Sequence, residues 1–244
     1  MMRLIDDVVR TVVPSRAGKH GPLPLLLLGL TVVTGLVDAF SYLLLGHVFV
    51  ANMTGNVVFL GFAAAGTRGF SIPASLFALA AFVAGALLGG RIASRIPRHR
   101  GRLLATATAL QALLFVVAVV VAAFSGASIA SADRYTLIVV MAVAMGVQNA
   151  TVRKLGVPDL TTTVLTLTIT GVAADRAAGE PGGPVAGRRL LSVLAIFIGA
   201  LIGALLVNDV HIVAPLATAL ALTAVVAAAT HVLARTEPQW IHVD

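Results

Sequence analysis

Cysteine is absent from the 244 residues, which excludes disulfides, thiolate metal sites and a cysteine nucleophile. Charge is scarce as well. Asp, Glu, Lys and Arg make up 11% of the chain, too few to keep a domain this apolar dissolved in water. Aromatic residues reach only 5%. No H-E-x-x-H, no pair of glycine-flanked aspartates and no Ser-His arrangement on adjacent turns occurs, so the side-chain sets that intramembrane or metal-dependent catalysis draws on are missing. The expectation is a protein that is not an enzyme and carries neither metal nor cofactor.

What fills the chain instead is hydrocarbon. Hydrophobic residues are 59% of it and the mean hydropathy is +1.01. Apolar stretches of membrane-spanning length recur from Leu23 to Leu233. In lipid every backbone polar group must be satisfied within the protein, so such stretches form helices or closed barrels. Continuous Ala, Leu and Val runs lack the alternation of barrel strands. The fold class is therefore all-α, a polytopic helical membrane protein with the lipid bilayer as its principal partner. The net charge of +7 is explained by membrane topology and needs no nucleic acid.

Eight apolar segments can be marked, at 23–46, 47–67, 72–94, 102–125, 134–153, 159–178, 189–208 and 210–234. Residues 22–66 taken as one helix would run about 68 Å, twice the roughly 30 Å hydrocarbon core. The chain there must cross twice, or cross once and dip back. Positive charge chooses between these. If 47–67 and 159–178 are broken or re-entrant, fifteen of the seventeen Lys and Arg residues share one side with both termini, and only Arg68 and Arg134 lie opposite. Basic residues collect on the cytoplasmic side. Six full crossings plus two broken elements are thus preferred over eight crossings arranged 4+4. Residues 1–22 read as a cytoplasmic or interfacial segment with no cleaved signal peptide, 23–234 as a single membrane domain, and 235–244 as a tail.

An internal repeat emerges from the same scheme. Gly35-Leu36-Val37-Asp38-Ala39 recurs as Gly146-Val147-Gln148-Asn149-Ala150, and Thr54-Gly55-Asn56 has a counterpart in the Thr-rich run 161–170. Halves of about 23–125 and 134–234, each with three crossings and one broken element, must be inverted relative to each other. Inverted repeats with discontinuous segments at matching positions mark transporters, whose site lies between the halves.

The two polar motifs also carry a resemblance. Gly35, Val37, Asp38, Ala39, Ser41 and Tyr42, then Gly46 and Val48 to Asn56, then Gly146, Gln148, Asn149, Ala150, Thr162, Thr163 and Thr166 together resemble the bacterial membrane family of unknown function called DUF1275, also known as the YoaK family. That family is similar in size and hydropathy to half of a major facilitator transporter. The resemblance implies a multi-pass protein of the bacterial cytoplasmic membrane that pairs with a second copy, and it supplies no substrate.

Asp38 is the residue most in need of a reason. A carboxylate in the hydrocarbon region costs about 2.5 to 3.5 kcal/mol on insertion scales unless it is paired or wetted. Two readings stand side by side: a proton-coupling or cation-binding group, or an acceptor for backbone N–H groups freed at a helix break. Asn52, Thr54, Gly55 and Asn56 form the densest polar cluster, able to replace water around a solute or to satisfy unwound backbone. Gln148, Asn149, Thr162 and Thr166 are the second-half candidates, and His47 and Gln111 are weaker ones. The expected function is secondary transport of an unidentified small solute. The alternatives are an intramembrane enzyme and a structural or sensory subunit.

Overall fold

The computed structural model describes residue 11, residues 20–125, 129–158, 160, 162, 170, 186–236 and 240–241. Among these are seven helices, α1 (Leu23–Leu44), α2 (Met53–Ala64), α3 (Ile72–Arg95), α4 (Arg100–Phe124), α5 (Ser131–Leu155), α6 (Ala186–Asp209) and α7 (Ala214–Thr236). All but α2 are long and apolar enough to cross a membrane. With 12 residues, α2 extends only about 18 Å and cannot span. The protein is therefore a helical membrane protein of six crossings. The element expected at 47–67 is realised as a non-helical stretch, residues 45–52, followed by α2. Most of the element expected at 159–178 lies outside the described residues.

Local chemistry explains the helix ends. Pro24 sits in the first turn of α1 and Pro73 in that of α3, where a missing N–H is harmless. Ser71 caps α3 by accepting from Ala74 N at 3.4 Å. Gly156 ends α5 in the left-handed conformation at φ 60°, which a side chain resists. Buried Thr31, Thr34, Thr108, Thr223 and Thr230 each donate to the carbonyl four residues back, the usual resolution for a hydroxyl in an apolar helix.

Two helices form the centre. Buried side chains run along α1 from Leu23 to Ser41 and along α5 from Leu137 to Leu155, as expected of helices surrounded by others. The outer helices present Leu87, Leu113, Phe197, Leu205 and Val225 to the lipid. Glycine brings the layers together. A Cβ at Gly35 would collide with the Ile196 carbonyl and crowd Gly199 of α6, and one at Gly146 would collide with the Phe82 carbonyl and crowd Gly85 of α3. Conversely, Gly199 and Gly203 rest on Val32 and Leu36, while Gly85 and Gly89 rest on Val143 and Val147. The glycines spaced four apart thus serve crossings inside the chain, where backbones meet without side chains between them. In both pairs the contacts advance together along the sequence, so α1 runs parallel to α6 and α3 to α5.

In the tail, Trp240 is 2% exposed. Its indole lies against Gly21 and Gly101, whose missing side chains leave it a flat seat at the ends of α1 and α4. Beside it, Arg100 N donates to the Ile241 carbonyl at 2.8 Å and the Arg100 guanidinium donates to the Leu155 carbonyl at 3.2 Å.

Candidate functional site

The break between α1 and α2 is where polar chemistry concentrates. After Leu45 the chain leaves the helix through Gly46 (φ 92°) and His47 (φ 55°), conformations natural to glycine and uncommon for histidine. It then turns inward, so that Val48, Val50 and Ala51 are fully buried. Non-helical backbone at that depth needs partners. Asp38 supplies them: its Oδ1 accepts from Val50 N at 3.0 Å and from Ala51 N at 2.9 Å, and its Oδ2 accepts from the Asn52 amide. Asn56 supplies the rest. Its Oδ1 accepts from Phe49 N at 2.8 Å while its Nδ2 donates to the Phe49 carbonyl at 2.6 Å. Two side chains, one from each flanking helix, thereby hold residues 49–52 in place.

Aromatic rings seal the same segment. Tyr42 stacks on Phe49 with centroids 5.2 Å apart and meets His47 edge-on at 5.0 Å. Phe59 and Phe70 extend the cluster, 5.2 Å from each other. His47 Nδ1 hydrogen-bonds the Gly69 carbonyl at 2.9 Å, tying the end of α1 to the turn before α3. Sequence reasoning missed this cluster. The signal was available, because Tyr42, Phe49, Phe59, Phe62 and Phe70 fall within 29 residues of a chain with only 13 aromatics.

Two cavities flank the held segment. One, about 760 Å³, lies between α1 and α6 and is lined by Asp38, Ala39, Tyr42, Ile196 and Ala200 together with Asn52 and Thr54. The other, about 830 Å³, lies between α3 and α5 and is lined by Phe82, Ala86, Asn149, Ala150 and Arg153, again with Asn52 and Thr54. Asp38 and Asn149 hold the same place in the sequence repeat, and a site between the halves would bring them together; they head separate cavities instead, and Asn52 and Thr54 stand between them. Asn149 also donates to the Met145 carbonyl at 3.0 Å.

The remaining candidates fall elsewhere. Gln148 lines neither cavity and is 1% exposed. Its Oε1 accepts from Gln111 Nε2 at 2.6 Å, and its own Nε2 donates to Thr34 Oγ1 at 3.1 Å. These three side chains cross-link α4, α5 and α1. Gly55 faces the Phe49 ring, which a Cβ would strike at 2.7 Å. Thr162 is buried with φ 54°. Thr166 lies outside the described residues. No group of three or more metal-ligating side chains exists among the described residues.

Six membrane-crossing helices, a broken helix pinned by a buried carboxylate and two cavities meeting at that break define a polytopic membrane protein with an internal polar site. The family described as "Protein of unknown function (DUF1275)" matches residues 26–229, and the chain belongs to it. A curated relative, the UPF0700 transmembrane protein YoaK of Bacillus subtilis (strain 168), is 33% identical over 147 residues, which are 60% of this chain and 64% of that protein. The match thus spans just under two thirds of the relative's length. No solved structure matches the chain.

Proposed function

We propose that the protein is a secondary transporter or permease of the bacterial inner membrane, moving a small solute between the α1–α6 and α3–α5 cavities past Asn52 and Thr54. The observation that carries this reading is the pair of cavities sharing those two residues. Their walls support it further. Asp38, Ala39 and Tyr42 of one cavity stand 111 residues before Asn149, Ala150 and Arg153 of the other, and Phe82 and Ala86 stand 114 residues before Ile196 and Ala200. The glycine contacts obey the same two offsets. Two halves of three crossings related in this way begin on opposite faces of the membrane, the arrangement that lets one half rock against the other and expose a central site to each side in turn.

In this reading Asn52 and Thr54 are the solute-contacting residues and Asp38 holds the gate. Both Asp38 oxygens accept hydrogen bonds from residues 50–52, which favours fastening the break over binding a cation. Flux measured across pH with Asp38→Asn tests proton coupling.

The test is alternating accessibility on this naturally cysteine-free chain. Ala200→Cys reports on the first cavity and Ala86→Cys on the second, in proteoliposomes probed with membrane-impermeant thiol reagents from either face. A transported solute should raise labelling at one position while lowering it at the other, and Asn52→Ala should reduce flux of that solute at unchanged protein content. Labelling of both positions from the same face, unchanged across a solute screen that also yields no flux, would sink the transport reading.

A further inference from the structure

The two cavities share a shape and differ in charge. Where the α1–α6 cavity has Asp38 and Tyr42, the α3–α5 cavity has Asn149 and Arg153. No acidic side chain lines the second cavity among the described residues. Apart from Asn52 and Thr54 the rest of its wall is apolar, with Phe82, Val152, Val157 and Leu160, and about 830 Å³ is ample for a small ligand. A smaller groove of about 400 Å³ shares Ala150 and Arg153 with it and adds Lys154 and Ser94. The cavity therefore has a largely apolar body with Arg153 on its wall, and the groove beside it carries Lys154 and Ser94.

Basic residues in the last turn of a helix complement its dipole and anchor it at the membrane surface, and this accounts for a charge there without accounting for its direction. Arg153 lies four residues after Asn149, so both occupy one helix face, and that face is the cavity wall. An arginine in such a place presents planar donors that match carboxylate and phosphate oxygens. An ammonium head would meet a like charge at Arg153.

We infer that the α3–α5 cavity binds an amphipathic organic anion, its apolar part beside Phe82 and Leu160 and its head on Arg153. This rests on the reading of that cavity as one station of a solute path, and it adds the class of solute. The head chemistry is shared by soluble organic acids and by anionic lipids.

The experiment uses the full chain in dodecyl maltoside, with phenylacetate, phenethylamine and phenethyl alcohol as matched probes, read by thermal shift and calorimetry. Phenylacetate should bind and stabilise, and the amine and alcohol should not. Arg153→Gln should weaken phenylacetate binding about tenfold or more, the worth of one charge-assisted hydrogen bond. Arg153→Lys should retain part of it, and Arg91→Gln, a basic residue outside the cavity wall, should leave it unchanged. Ala86→Trp, which fills the cavity without touching a charge, should abolish it. Equal binding of all three probes, or unaltered phenylacetate binding in Arg153→Gln that still elutes as a folded species, overturns the proposal. In nanodiscs, displacement of phenylacetate by phosphatidylglycerol but not phosphatidylcholine supports the anion site with lipid as the source. Persistence in both lipids supports it with a soluble acid as the source. Arg153-dependent binding without flux separates failure of the transport reading from failure of this one, as does flux of an uncharged solute without anion binding.

Discussion

Asp38 combines two facts that a sequence cannot connect: it is 5% exposed, and its three hydrogen-bond donors come from 12 to 14 residues downstream. Those donors are backbone N–H groups of an unwound stretch plus the Asn52 amide, so the carboxylate repairs the hydrogen bonding that the helix break forfeits. Asp38→Asn should therefore act on structure first. An amide keeps one oxygen for Val50 N and Ala51 N but turns the other acceptor into a donor, so the Asn52 amide must flip or lose its bond, and the remaining bonds lose the charge that strengthens them. A loss of about 1 to 3 kcal/mol is expected, measurable as a fall in thermal unfolding temperature in detergent, together with faster labelling of a cysteine placed at Ala51. Unchanged stability and unchanged labelling would show that the break stands without the carboxylate. Gln111 and Gln148 offer a cleaner double test. Either Gln→Leu change alone strands the partner's amide at a similar penalty, whereas the double change removes both polar groups and should be less destabilising than the sum of the singles. A double-mutant cycle on unfolding reads that difference.

The small residues set how closely the helices pack. Gly35 and Gly146 touch the backbone of a neighbouring helix, so a side chain at either has nowhere to go. Gly35→Val and Gly146→Val are expected to cut the yield of folded protein severely, since overpacking by a branched side chain against backbone cannot be relieved by a rotamer change. Gly90, one position beyond Gly89 and with nothing within 4 Å of where its Cβ would be, is the control. Gly90→Val should express and elute as the parent does. The glycine pattern itself was readable in the sequence, but its partner was not. Spacing of four shows that a close crossing is available, and only the packed structure shows that α3 offers it to α5 and α6 to α1. Broken α2 repeats the lesson: the excess length of segment 22–66 demanded an interruption, while the pinning of Phe49 by Asn56 was invisible until the chain turned back on itself.

For the bundle as assembled, six crossings place both ends of the chain on one face. Single cysteines at Thr67 and Ser125 should react with impermeant reagent from one side only, and those at Arg98 and Arg235 only from the other. Eight crossings would separate Arg98 from Arg235. Trp240 adds a contact that joins the tail to α1 and α4, and Trp240→Ala, which removes the indole, should raise protease sensitivity of the C-terminus while leaving the six helices intact by circular dichroism.

Hydropathy and the distribution of Lys and Arg are sums over windows of sequence, which is why the membrane class, the number of crossings and the interruption after α1 were legible without coordinates. Which acceptor meets which donor is not such a sum. Asp38 and Asn149 stand in similar stretches of sequence, 35–39 and 146–150, yet they face different cavities because α1 and α5 each pack on a different outer helix. Gln148, one position before Asn149, points to Thr34 and Gln111 because adjacent residues on a helix diverge by about 100°. Such choices depend on contacts between residues far apart in the chain, and so they were made only when the helices packed.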